Sequence, residues 1–458
     1  MTQRTGTELA ALREDLRERG VRYLFGAYVD IYGVPKAKAV PIDHLEQWAA
    51  GSELYTVGAL EGMGELGPNE DECAGVPDLS TLVQLPWKPE YALAAADLEF
   101  HGEPYGYDSR RVLRDQVAAA AAAGYTVNVG IETEVYVLRE TDDGWRPWIE
   151  ADTWNAPTRG YDVETTILAE GFLDTMVRYM NELGWGVYSF DHEGGDGQYE
   201  FDFRYADALA MADQMMVFRL LAKHVARELG CIVTFMPKPW SSAFGSGAHF
   251  NVNLADIETG ENRFEIGAGE DPSHVPGYSE VAHQFTAGML NHAEAMTAVL
   301  CPTVNSYKRL LPRGLMNEIS WAPVFRAYGQ NNRTLMCRLP ANRRCLEIRT
   351  ADSAANVYLG LAAVIAAGLA GIDDRLDPGP PVNFDTYKAT PEQLAAAGAV
   401  RLPQTLHEAL VAFQDDSFIA SVMGKEYRAE YARAKRAEWD EYSTVVGQWE
   451  VDKYLRLI

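Results

Sequence analysis

The 458 residues carry 40 lysines and arginines against 66 aspartates and glutamates, a formal charge of −26. A surplus of that sign repels phosphate backbones and anionic lipid, which excludes general nucleic-acid or membrane-surface binding. With 47% hydrophobic and 23% charged residues, global disorder is excluded too, and the length leaves ample core for roughly two to four domains.

In chain order, residues 5–19 predict a surface helix whose alternating charges do not make a signal peptide. Residues 21–42 predict two strands around a Tyr-Gly-Val-Pro turn, with Gly33 and Pro35 supplying the backbone geometry. Residues 52–78, rich in Gly, Pro, Glu and Asp, predict a loop. Strand patterns follow in STLVQLPW and YALAAADLEF, so residues 1–106 make a small N-terminal β domain. A helix over 106–124, capped by Asp108 and Ser109 and stopped by Gly124, sets a boundary near 107 and opens a large domain over 107–458.

Within that domain, strands are expected over 125–138, 185–191, 197–204, 231–236 and 247–254, and helices over 168–183 and 205–229. Residues 403–458 predict amphipathic helix, with Trp439 and Trp449 ten apart. The uncharged run Val357 to Ile372 has 16 residues; it is short of the about 20 that span a bilayer and predicts a buried helix. Five cysteines (Cys73, Cys231, Cys301, Cys337, Cys345) show no CxxC pair and read as reduced, mostly buried thiols of a cytoplasmic protein.

Glu132-Thr133-Glu134 interrupts an apolar strand, and side chains two apart share a face, so both carboxylates project together. Such a pair repels unless a cation or proton lies between; a solvent-facing strand is the other explanation. In Asp191-His192-Glu193-Gly194-Gly195-Asp196-Gly197-Gln198-Tyr199-Glu200 a Gly-rich turn joins two strands, the second carrying Glu200, Asp202 and Arg204 on one face. An acid-rich hairpin would look the same. Gly245-Ser246-Gly247-Ala248 leads into a strand on which His249, Asn251 and Asn253 share a face. Its glycines suit close backbone approach, although a strand histidine is commonly just a hydrogen-bonding residue. Glu347 and Arg349 share a further strand face.

Regional charge is more informative. From Lys308 to Arg349 nine bases meet two acids, +7 within a chain of −26. A solvated face explains part of this. Arg338 and Arg349, however, interrupt apolar strand sequence, where an unpaired guanidinium is costly and a nucleotide triphosphate or a carboxylate substrate would supply the counter-charge. Five glutamates and one histidine offer two sets of hard, mostly oxygen ligands, suited to Mg²⁺ or Mn²⁺. With arginines beside them, this is equipment for ATP-driven phosphoryl transfer. The sequence has no Walker-type P-loop and no GxGxxG after a strand.

On these residues the chain resembles the glutamine synthetase family. The likeness runs through VDIYGVPKAKAVP, GIETEVYVL, DHEGGDGQYEF, TFMPKPWSSAFGSGAHFNVNL, CPTVNSYKRL, NNRTLMCRLP and LEIRTADSAANVYLGLAAVIAAGLAGI, in the family's order over nearly the whole chain. Within the family it looks most like the glutamate–methylamine ligases, on STLVQLPWKPEYA, ISWAPVFRAYGQNNR and QWEVDKYLRLI. The resemblance implies an α+β fold: an N-terminal β-grasp domain and a catalytic domain whose antiparallel sheet forms an open barrel surrounded by helices. It implies Glu134, Glu193 and Glu200 around one metal, and Glu132, His249 and Glu347 around a second that binds the ATP phosphates. Arg309 and Arg349 would bind the carboxylates of L-glutamate, with the Gly245 backbone nearby. Arg333 and Arg338 would stabilise the transferring phosphoryl group, and Asn251, Asn253 and Arg338 would face the nucleotide. A homo-dodecamer of two hexameric rings is implied, with sites between neighbouring subunits.

The departures from the family pattern carry information. The second histidine of the family's HxH is Asn251 here and the following serine is Asn253; an asparagine carries no charge, so stabilisation of the transition state is lost or moved to an arginine. Phe244 replaces an asparagine near the glutamate amino group. The ammonium-binding Asp-Gly-Ser-Ser loop reads Tyr55-Thr56-Val57-Gly58-Ala59, and the flap reads Pro312-Arg313-Gly314-Leu315-Met316, with Glu318 late as the acid that takes the amine's proton and Glu61 or Glu65 as substitutes. Losing anionic partners weakens ammonium capture, whereas Val57, Leu315 and Met316 favour an amine with an apolar substituent. Tyr387, near the tyrosine that some relatives adenylylate, reads as an ordinary loop residue. The function implied is ATP-dependent ligation of a primary amine to the γ-carboxylate of glutamate through γ-glutamyl phosphate. Methylamine comes first, then ammonia, then larger amines such as ethanolamine, a polyamine or an aniline. A catalytically silent assembly or sensor protein of the same fold is the alternative of another class.

Overall fold

The computed structural model describes residues 5–150, 160–267, 274–312 and 320–458. After a helix over Gly6–Glu18, an eight-stranded sheet forms around the parallel pair β1 (Tyr23–Val29) and β2 (Tyr91–Phe100), Tyr23 lying opposite Tyr91 and Ala27 opposite Ala95. The expected turn follows β1: Gly33 has φ +71°, and Asp30 Oδ1 accepts from the Tyr32 and Val34 amides. Two expectations are corrected. The presumed loop 52–78 contains strands Glu53–Tyr55 and Cys73–Pro77, which pair with each other and join β2; they are too short to show a period. Of STLVQLPW only Val83–Gln84 is strand, because Pro86 lacks an N–H to donate and Asp78 caps a 3₁₀ turn over Leu79–Thr81.

Helix α1 (Ser109–Ala122) leads into a second sheet of eleven strands that curls into a half-barrel. Its main strands are β3 (Tyr125–Thr141), β4 (Val187–His192), β5 (Gln198–Phe203), β6 (Ala248–Asp256), β7 (Phe325–Gln330), β8 (Leu335–Leu339) and β9 (Leu346–Ile348). Their order is β4-β5-β3-β6-β9-β8-β7, antiparallel throughout except β7 with β8. The expected helix 168–183 is two, Val163–Leu168 and Glu170–Glu182, and the expected 205–229 is α2 (Ala208–Glu228). Residues 403–458 hold four helices, with Trp439 against the core and Trp449 exposed.

One face of the second sheet supplies the core. Ile131, Phe201, Phe250 and Val252 pack towards α2 and α3 (Val357–Asp373), which is buried along most of its length. Among the described residues no helix is long and apolar enough to cross a membrane. All five cysteines are buried and unpaired.

The N-terminal sheet adds Ala27, Val29, Ile31, Leu93 and Ala95 to the same core. At the junction Arg110 of α1, 1% exposed, donates to Asp213 of α2, Asp97 of β2 and Asp78 at 2.8–3.0 Å. Asp108 caps α1 through the Arg110 amide and also accepts from Leu98 N. Ser109, expected as a second cap, is instead the first helical residue and bonds the Tyr427 hydroxyl and Asn356. Asn356 caps α3 and donates to the carbonyls of Asp30 and Ile31.

Candidate active site

Strand register builds the site. Glu134 on β3 stands opposite Glu200 on β5, Glu132 opposite His249 on β6, and Glu347 on β9 opposite both Asn251 and Arg338 of β8. Opposed residues in a ladder lie about 5 Å apart, so five strands line up their polar side chains on one face. The alternating residues Thr133, Phe201, Phe250 and Ile348, at most 1% exposed, fill the core on the other. The row opens into a cavity of 960 Å³ that Arg309, Arg333, Arg349, Tyr161, Phe244 and Trp321 also line.

Two triads emerge. Ligand atoms of Glu134, Glu193 and Glu200 lie within 4.8 Å of one another, as do those of Glu132, Glu200 and His249, so Glu200 belongs to both. Burial and Glu193 push the Glu134 carboxyl up to about 8. Burial raises Glu193 and, with Glu132 and Glu134, raises Glu200 further. Burial works against Glu132 as well, but His249 and Arg343 hold it well below the ordinary carboxylate range. Burial and Arg349 bring His249 down to about 4, leaving a neutral imidazole able to act as a ligand. Crowded carboxylates whose charges repel, with one neutral imidazole, fit hard divalent cations such as Mg²⁺ or Mn²⁺.

A supporting layer fixes these ligands. Gln198 donates from Nε2 to Glu134 Oε2 at 2.9 Å and to Gly245 O at 3.1 Å, while its Oε1 accepts from Gly195 N. Gly247 N donates to Glu134 Oε2 at 3.0 Å, and the Ser353 hydroxyl bonds the carbonyls of Glu134 and Gly247. A Cβ on Gly247 would lie 2.7 Å from His249 Nε2 and 2.8 Å from Arg309 Nη2. Gly247→Ala is therefore expected to displace a ligand and lower turnover about a hundredfold, with unchanged circular dichroism. Turnover within threefold of wild type, read as phosphate release from ATP, would show that the site tolerates the methyl group.

The arginines find much of their counter-charge inside the protein rather than in a ligand. Arg338 donates to Glu347 Oε2 at 2.6 Å, Arg349 to Glu347 Oε1, and Arg343 to Glu132 Oε1 at 2.7 Å. Glu347 lies 4.0 Å from His249 Nδ1 and outside both triads. Arg309 donates to the carbonyls of Thr350 and Arg349 at 3.0 Å, with its stem against Gly245. Arg333 lines the cavity and its carbonyl accepts from Arg349 Nε. Asn251 donates to Glu132 Oε1 at 3.0 Å, whereas Asn253 accepts from Asn128; neither lines the cavity.

Glu318, Arg313, Gly314, Leu315 and Met316 lie outside the described residues. Val57 cannot shape an amine pocket, because it is fully buried in a core with Tyr28, Tyr55 and Met63. Tyr387 bonds the Ala322 carbonyl through its hydroxyl.

Sequence reasoning assigned no role to Tyr161, Trp321, Asp191, Asp202 or Arg343, all of which line the cavity. Tyr161 and Trp321 hold left-handed backbone, φ +63° and +56°, a conformation that bulky residues adopt where the surroundings enforce it. Asp202 was accessible from strand alternation with Glu200; Arg343, in an aperiodic loop, gave no local signal.

Comparison with known proteins adds three findings. Residues 106–454 match the family described as "Glutamine synthetase, catalytic domain". The chain is 40% identical over 441 residues to the glutamate–methylamine ligase of Methyloversatilis universalis, covering 96% of this chain and 97% of that one, and 34% identical over 434 residues to a glutamine synthetase of Rhizobium meliloti, covering 95% and 96%. Among solved structures it matches a GmaS/ADP complex with a TM-score of 0.88 at 35% identity, covering 97% of this chain and 99% of that one, and an unliganded GmaS with a TM-score of 0.87 at the same identity and coverage.

Proposed function

The chain belongs to the glutamine synthetase family, and from that premise we propose that it joins methylamine to the γ-carboxylate of L-glutamate. It is an ATP-dependent ligase. The observation that carries the reading is the pair of triads sharing Glu200 within a cavity walled by arginines. The choice of amine is supported by the similarity to a ligase named for methylamine.

In this reading Glu134, Glu193 and Glu200 hold one Mg²⁺ or Mn²⁺, and Glu132, His249 and Glu347 the other, with Glu200 in reach of both; when bound, these ions offset the charge developing on the phosphates. Gln198, Gly247 and Ser353 keep the carboxylates in place. Arg349 and Arg309, braced on backbone carbonyls, present their remaining N–H groups to the glutamate carboxylates beside the Gly245 backbone. The γ-carboxylate displaces ADP from the terminal phosphorus, giving γ-glutamyl phosphate, with Arg333 and Arg338 positioned to stabilise the phosphoryl group. Asn251, Asn253 and Arg338 are assigned to the nucleotide side. The amine nitrogen then attacks the acyl carbon and expels phosphate. An alkylamine arrives as a cation, attracted by Asp191 and Asp202, each pushed up to about 6 by burial and neighbouring acids; Glu318 takes the proton. Tyr161, Phe244 and Trp321 form the apolar wall for the methyl group. The working assembly is proposed to be a cytoplasmic homo-dodecamer of two hexameric rings.

Phosphate release from ATP with glutamate, Mg²⁺ and an amine panel tests this. Methylamine is expected to exceed ammonia in kcat/KM by about tenfold or more, the scale set by one apolar group in a pocket. Best turnover with ammonia would make the chain a glutamine synthetase. No amine-dependent release would leave the silent assembly or sensor as the better reading.

A further inference from the structure

We infer that Arg343 is a positioning residue that competes with the ion of the Glu132–His249 site and gives way when nucleotide phosphates arrive; this rests on the metal-site reading above. Arg343 Nη2 donates to Glu132 Oε1 at 2.7 Å and to Glu347 Oε2 at 3.4 Å. Both acids are proposed ligands of the second ion. The other Glu132 oxygen faces His249 Nδ1 at 3.2 Å. A guanidinium and a divalent cation thus seek the same anions, and two cations on one carboxylate oxygen repel each other.

Residue 251 makes the arrangement possible. Asn251 Nδ2 shares Glu132 Oε1 with Arg343 at 3.0 Å, and Cys345 Sγ lies 3.6 Å from Asn251 Oδ1, which orients the amide. A neutral amide can share an acceptor with a guanidinium, whereas a protonated histidine at 251 would push Arg343 away. Arg343 can also move. Its side chain is 39% exposed, it borders the cavity, and its Nε makes no hydrogen bond among the described residues. A guanidinium forks well onto phosphate oxygens, so bound nucleotide draws Arg343 off the carboxylates and opens them to the ion.

The test is Mn²⁺ titration of the full chain by electron paramagnetic resonance, with and without ADP, scoring the Mn²⁺ site that Glu132→Gln removes. Without nucleotide, Arg343→Gln is expected to bind that Mn²⁺ about tenfold tighter than wild type, a coupling of ordinary size, and with ADP the difference should vanish. Arg343→Lys, which keeps the charge on a shorter side chain, should fall between. Arg344→Gln, whose guanidinium lies over the Tyr278 ring, should match wild type. Equal affinity of Arg343→Gln and wild type without nucleotide overturns the competition, and an advantage undiminished by ADP overturns the release. Failure of wild type and variant alike to bind a second Mn²⁺ overturns the metal-site reading and the inference with it.

Discussion

Glu200→Gln is expected to cut amine-dependent phosphate release by about three orders of magnitude, the several kcal/mol that a metal site supplies to a transition state, while raising the melting temperature of protein kept in EDTA by a few degrees. The two effects come from one position. Glu200 is the only residue common to both triads, so a glutamine there weakens two ligand sets at once. Burial and the charges of Glu132, Glu134 and Glu193 raise its carboxyl in the folded chain. A group raised by folding favours the fold while protonated, and that contribution is lost as pH climbs through the raised value. The neutral isostere removes this penalty, and the gain should shrink as pH falls towards the ordinary carboxylate range, where the raised value no longer matters. Calorimetry at two pH values measures this. Turnover within tenfold of wild type would sink the shared-ligand assignment, and a lowered melting temperature would sink the electrostatic argument.

Arg110→Met is expected to cost about 3–5 kcal/mol of stability, read from the urea midpoint. Breaking a buried ion network by removing one partner leaves the others uncompensated. Arg110 serves three aspartates from three elements, with its side chain 2% exposed. Arg114 would still reach Asp78 and Asp97, but among the described residues Asp213 would keep only the Tyr358 hydroxyl at 2.7 Å. Arg110→Lys retains the charge but cannot fork to three acids, and should recover only part of the loss. A midpoint shift worth less than 1 kcal/mol would mean that the aspartates are neutralised some other way.

Much of the site was legible in the sequence because strand period is local. Alternation alone put Glu132 beside Glu134, Glu200 beside Asp202, and His249 beside Asn251. What it could not give is register. That Glu200 serves both triads follows from Glu134 pairing with it across β5, and the brace on Glu347 follows from Arg338 pairing across β8. Arg343 lies in a loop where no period aims the side chain, so its reach to Glu132 exists only in three dimensions. The misreading of Val57 has the same origin: a stretch rich in Gly and Glu looked like exposed loop, yet short strands on either side tuck its one buried valine beneath Tyr28 and Tyr55.

The bonds from Asn356 to the carbonyls of Asp30 and Ile31 span 326 and 325 residues. On a ribosome adding about 5–20 residues per second, the turn after β1 is made roughly 15–65 s before its partner exists. Throughout that interval Leu24 and Tyr28 of β1 have core partners made within the first hundred or so residues, but Ala27 and Val29 face a core most of which has not yet been synthesised. The turn after β1 is thus among the last parts of the N-terminal sheet to be locked, and Ala27 and Val29 wait for much of their core until the helix at 357 emerges.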